Sequence, residues 1–192
     1  MAETVTVHAH SSSENSPFAT ASEARTVPSR RLRRSFEAGH SPKFLVLVDE
    51  TSACDKSVYY ASRRAARVGA KVVLLRVVEP SYRGIALLGV ADIMQTEAFQ
   101  ESQELLDQQA SRVQSIAAIS PETMIREGDA AQEIFKAIEA DADIAFLVLA
   151  AGSSTKGPGP LVSDLARTAG IYPIPVIIVP AHLSDAELDA LS

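Results

Sequence analysis

A chain of 192 residues has room for one ordinary domain and a tail. Hydrophobic residues at 46% and charged residues at 22% are globular in kind, a single cysteine excludes an intramolecular disulfide framework, and a formal net charge of -6 argues against nucleic acid as the default partner. No apolar run approaches the roughly 18 residues of a membrane span, and no apolar segment of secretory type follows the N-terminus, so the expected location is a reducing cytoplasm.

Residues 1–42 are expected to form a disordered arm. Residues 1–43 carry six Lys/Arg against four Glu, whereas the rest of the chain carries 12 basic and 20 acidic residues. No apolar period runs through the arm, and such a composition cannot offset the entropy of ordering the backbone. Its one dense basic cluster, Arg30-Arg31-Leu32-Arg33-Arg34, has the character of a solvated charge run. His8 and His10 belong to a frayed terminus rather than a metal site.

Order is expected from Lys43. Phe44–Val48 is a short continuous apolar run ending at Asp49, the pattern of a strand buried on both faces. Ala53–Val68 is a predicted helix with Val58, Ala61, Ala65 and Val68 on one face, closed by Gly69. Lys71–Val78 is a second buried strand, stopped by Glu79-Pro80, and residues 81–92 are irregular. Residues 93–118 make one long helix with Leu105, Leu106, Val113, Ile116 and Ala117 as its stripe. Thr123–Arg126 is a third, alternating strand. Gly128-Asp129 turns the chain into a helix over Ala130–Ala140, and Ile144–Leu149 is the fourth strand. A Gly/Pro/Ser loop follows, then a short helix from Pro160 to Ala169 with proline at its first position, then a fifth strand over Pro175–Val179. In the tail, 181–192, Ser184 and Glu187 have the spacing of a capping box. His40 and His182 flank the core and are expected to be solvated.

Strands alternating with helices predict an α/β domain over 43–180, with a five-stranded, doubly wound parallel sheet. Ligands of such sheets sit beyond the carboxyl ends of the strands. The loops there span residues 49–54, 77–92, 127–130 and 150–162.

Five features together resemble the universal stress protein family. Asp49-Glu50-Thr51 ends the first strand, with Ala61 ten residues after Thr51. Leu75-Arg76-Val77-Val78-Glu79 ends the second, and Glu127-Gly128-Asp129 follows the third. Asp141-Ala142-Asp143 precedes the fourth, and a glycine-containing loop leads to the terminal Pro175–Val179 strand. The resemblance covers about residues 43–180. It implies the adenine-nucleotide alpha-hydrolase-like fold of that family and a pocket for ATP, with Mg²⁺ as its companion cation. Members that bind ATP use the Asp after strand one near adenine and ribose, the backbone at the Val of strand two for the adenine edge, and a glycine loop for phosphates. By position these are Asp49 with Thr51 beside it, Val77, and Gly152, Ser153, Gly157, Gly159 and Ser163. Backbone N–H groups in such a loop, leading into a helix, make an anion site.

The loop departs from the family pattern. Thr155 stands where a second glycine is usual, and Pro160 and Leu161 occupy the places of the final Gly-[S/T] pair. Pro158 and Pro160 supply no N–H. Glu50 replaces a usual glycine and adds negative charge beside any phosphates. Asp49 and Thr51 also have plainer readings as acceptors and caps for the following helix. Cys54 lies near a helix N-terminus, which can activate a thiol, but no histidine adjoins it in sequence and it is expected to be quiet.

The resemblance implies a cytoplasmic stress-response regulator that dimerises through the Val176–Val179 edge strand, since an exposed apolar edge invites pairing. A nucleotide-independent dimeric scaffold and a slow ATP hydrolase are the alternatives. No nucleophile elbow, Walker loop or metal-ligand cluster is present in the sequence, so no catalytic residue and no metal ligand is expected. A phosphorelay receiver is disfavoured, because Pro180 stands where strand five of a receiver ends in lysine.

Overall fold

The computed structural model describes residues 32–80, 90–152, 157–159, 162, 163, 165, 170 and 172–192. Expectations for residues 1–31, for 81–89 and for most of the Pro160–Ala169 helix lie outside the described residues; Val162, Ser163 and Leu165 are helical. The chain runs β1 (Lys43–Leu47), α1 (Cys54–Val68), β2 (Lys71–Val78), α2 (Val90–Ala117), β3 (Glu122–Glu127), α3 (Ala130–Ala140), β4 (Ile144–Ala151), β5 (Val176–Pro180) and α4 (Asp185–Leu191). All strands pair in parallel, in the order β3-β2-β1-β4-β5. This is the Rossmann-type order, not the 2-1-3-4-5 order of phosphorelay receivers, so the receiver alternative falls on topology.

The apolar runs of the central strands are continuous because both faces are covered. Phe44, Val46 and Val48 point to a core shared with α1 and α2, where Val58, Ala61, Leu106 and Val113 are buried. Leu45 and Leu47 alternate onto the opposite face, against Ile134, Ala137 and Ile138 of α3. The period of 2 in the strands thus feeds two separate cores. Val68, expected on the buried face of α1, is exposed, because the helix ends there with Gly69 in the left-handed conformation (φ 67°). The chain after β5 is more than a tail: Ser184 and Glu187 form both halves of a capping box, and Leu188 is buried. Lys56 and Arg63 of α1 pair with Asp185 and Asp189, which fastens α4 to α1.

Residues 32–42 correct the expectation of disorder up to Pro42. The Arg33 guanidinium donates to the carbonyls of Ile138 (2.5 Å) and Asp141 (3.1 Å) and pairs with Glu139 (3.0 Å). It therefore satisfies carbonyls left over at the C-terminus of α3, where positive charge is favoured. Arg34 N–H donates to Ala142 O, and Ser35 is buried. His40, expected to be solvated, lies 2.6 Å from Asp143 Oδ1. Next to this strap, Asp141 is held below its usual pKa. Burial alone would raise it, but hydrogen bonds from Lys43 and from the Asp143 N–H, with the charges of Lys43 and Arg33, outweigh that. The basic cluster is thus partly absorbed by the fold: Arg33 pairs with Glu139 and Arg34 with Glu37.

Candidate functional site

The strand order reverses between β1 and β4, and the carboxyl ends of the strands open there into a cleft of about 1200 Å³. Its floor is Leu47–Ala53 and Arg76–Glu79. One wall is the start of α3, Asp129–Ala131, and another is Gly152 with Gly157–Gly159. The described parts of the loops singled out by the carboxyl-end rule therefore do converge.

Asp49 follows β1 directly. Its Oδ1 accepts the Thr51 N–H (2.9 Å) and the Thr51 hydroxyl (2.5 Å). Thr51 thus braces Asp49 in a local turn instead of capping α1, whose N-cap is Ala53 with no side-chain bond. A carboxylate has about four lone-pair sites on two oxygens, and no described residue bonds Oδ2. Asp49 is consequently held in one orientation while keeping acceptor capacity toward the cleft.

Val77 lines the cleft at the end of β2. The β1–β2 ladder ends at Leu47↔Leu75, and Val48 N–H donates to Leu75 O at 2.8 Å. On the other side of β2, Gly128 N–H donates to Val78 O at 3.0 Å. Bonding direction alternates along a strand, so the Val77 N–H and C=O aim toward the β1 side, past the point where β1 leaves the sheet. A planar ring with one donor and one acceptor edge would meet complementary groups there.

The glycine loop is different from the expectation. Gly152 N–H donates to Pro158 O (3.1 Å), closing the loop on itself. Ser163 does not line the cleft: its N–H (3.1 Å) and hydroxyl (2.9 Å) both go to Gly159 O. Gly157 (φ 109°) and Gly159 (φ 104°) do line it, in conformations that favour glycine. Ser153 lies outside the described residues. The nucleoside-like half of the expected set is thus assembled, whereas two of its expected phosphate donors are spent on the loop itself.

Sequence reasoning missed three contributors. Ala98, Glu101 and Ser102 of α2 border the cleft; α2 begins well before its packed half, and no motif marks that overhang. Arg76 lines the floor and donates through Nη2 to Glu50, while its Nε is buried without a partner. Ala181, just after β5, completes the rim. Cys54 beneath the cleft is buried, with Sγ 4.0 Å from Leu47 O. Its thiol is pushed up to about 11, first by burial and further by the charges of Asp49 and Asp55, so it is a quiet residue at neutral pH. Among the described residues no group of His, Cys, Asp and Glu is placed to hold a metal ion, and no helix is long and apolar enough to cross a membrane.

The family model of the universal stress protein family matches residues 41–180. Universal stress protein UspA from Lactobacillus plantarum is 23% identical, with a TM-score of 0.62, covering 72% of this chain and 97% of that one. A universal stress protein in complex with cAMP is 18% identical (TM-score 0.54), covering 72% and 96% of the two chains. A universal stress protein family protein from Arabidopsis thaliana with AMP bound is 17% identical (TM-score 0.51), covering 72% and 91%. No curated protein matches this chain.

Proposed function

The chain belongs to the universal stress protein family, and we propose that it is a cytoplasmic, dimeric regulator of the stress response that binds an adenine nucleotide in the cleft at the β1–β4 switch point. The observation that carries this reading is the pairing of a braced Asp49 with the outward-facing Val77 backbone across one floor. An acceptor for ribose hydroxyls and a donor–acceptor edge for adenine stand side by side. Structurally similar proteins holding AMP and cAMP support the same ligand class. ATP, with Mg²⁺ as its companion cation, is the triphosphate member of that class. The regulatory role, with no catalytic residue assigned, rests on family membership; a slow ATP hydrolase on the same fold is the lesser alternative.

The test is calorimetric titration of the full chain with AMP, cAMP and ATP, the last with and without Mg²⁺. Micromolar to submillimolar binding of at least one is expected. A folded protein giving no heat with any of them at millimolar concentration would remove the nucleotide and leave the dimeric scaffold as the reading.

Dimerisation has its own support. β5 is an edge strand, and Ile178 is 43% exposed on it. Charge on an edge blunts pairing. Ile178→Lys is therefore expected to shift the chain from dimer to monomer in sedimentation velocity. A wild-type monomer, or a variant that stays dimeric, would place the contact elsewhere or remove it.

A further inference from the structure

Among the described residues, the cleft is lined by five carboxylate side chains, those of Asp49, Glu50, Glu79, Glu101 and Asp129, and by the guanidinium of Arg76 alone. Arg76 is three-quarters or more buried (side chain 18% exposed) and is engaged by Glu50, whose own side chain is 77% exposed. The one cation among the described lining residues is thus already neutralised by a carboxylate that lines the same opening. The hydrogen-bond donors show the same bias. Gly152 N–H is given to Pro158 O, Ser163 gives both its N–H and its hydroxyl to Gly159 O, and Pro158 itself has no N–H. An anion cradle needs backbone donors pointing outward, and these three point inward. The Val77 edge and the Asp49 carboxylate are untouched by this, since an adenine ring and ribose hydroxyls carry no charge.

We propose that the cleft selects an adenine nucleoside carrying at most one phosphate over a triphosphate, and that the Glu50–Arg76 ion pair is the discriminating element. The inference rests on the adenine-nucleotide reading of the cleft and narrows it. Specificity is a difference of affinities, and a repulsive group in the site is as effective as an attractive one. Here Glu50 has two effects of one sign: it repels a polyphosphate and it occupies the guanidinium that would compensate. Because Glu50 is exposed, its replacement by glutamine is compatible with folding.

Calorimetric titration of the full chain with adenosine, AMP and ATP, each with and without Mg²⁺, tests the proposal, alongside Glu50→Gln checked for its native circular dichroism. In the wild type, adenosine or AMP should bind at least about tenfold tighter than free ATP, as expected where like charges face each other across a partly desolvated site. Glu50→Gln should narrow that ratio severalfold by raising ATP affinity. Wild-type binding of ATP as tight as AMP overturns the inference while leaving the nucleotide reading standing. A folded Glu50→Gln with an unchanged ratio overturns the role of the ion pair. Absence of binding by all three ligands overturns the nucleotide reading, and the inference falls with it.

Discussion

Asp49→Ala is expected to weaken binding of the adenine ligand roughly ten- to hundredfold, read by calorimetry against the wild type. The side chain it removes is a cleft carboxylate held by two bonds to one oxygen, from the Thr51 N–H and the Thr51 hydroxyl. Hydrogen bonds to a charged acceptor contribute about 1.5–3 kcal/mol each, and every 1.4 kcal/mol or so is tenfold in affinity. Alanine also releases the turn that sets Leu47–Ala53 along the floor, so the loss should sit at the upper end of that range. Asp49→Asn separates the two contributions. Its amide oxygen still accepts from Thr51 and preserves the turn, but it is a weaker acceptor for ribose hydroxyls, so its affinity should fall between alanine and wild type. Wild-type affinity in a folded Asp49→Ala protein would show that the ligand does not use the floor at β1.

The architecture was legible because its signals are local and redundant. Phe44–Val48, Lys71–Val78 and Ile144–Leu149 are apolar on both faces, and each is followed by a helix that must cover it. That alternation fixes a parallel sheet, and the parallel sheet fixes which ends of the strands open toward a ligand. Asp49 and Val77 were singled out by the family resemblance, and the ends of β1 and β2 bring both to the cleft. The rest depends on contacts that no spacing announces. Arg33 looks like part of a solvated basic run until the carbonyls of Ile138 and Asp141, more than a hundred positions away, are brought beside it. Glu50 and Arg76 are each unremarkable in sequence, and their pairing exists because β1 and β2 end side by side. The inward turn of Gly152 and Ser163 is likewise invisible in composition. A glycine-containing loop states that the backbone can bend, not where its N–H groups will point.

Leu147→Ala should lower stability by about 3 kcal/mol, within the roughly 2–5 kcal/mol range of buried Leu→Ala substitutions. Leu147 is fully buried in β4, where it pairs in register with Leu45 on β1 and Val176 on β5 and packs toward Ile134 and Ile138 of α3. A central strand with neighbours on both edges cannot collapse into the void, so the cavity contribution should be large. For a domain of this size each kcal/mol moves the melting temperature by about 2–4 °C, which makes the expected drop roughly 6–12 °C in thermal unfolding. That is a substantial part of a total of about 5–15 kcal/mol. The same strand delivers Gly152 to the cleft, so loosening it should also weaken ligand binding, and added ligand should restore part of the lost melting temperature by mass action. Ile178→Lys on the neighbouring edge provides the contrast. Its side chain is already 43% exposed, so the monomer it produces should unfold with nearly unchanged intrinsic stability. A Leu147→Ala protein less than about 1 kcal/mol weaker than wild type would mean that β4 is not the rigid centre of the sheet, and the cleft's geometry would then have to be set by α1 and β2 alone.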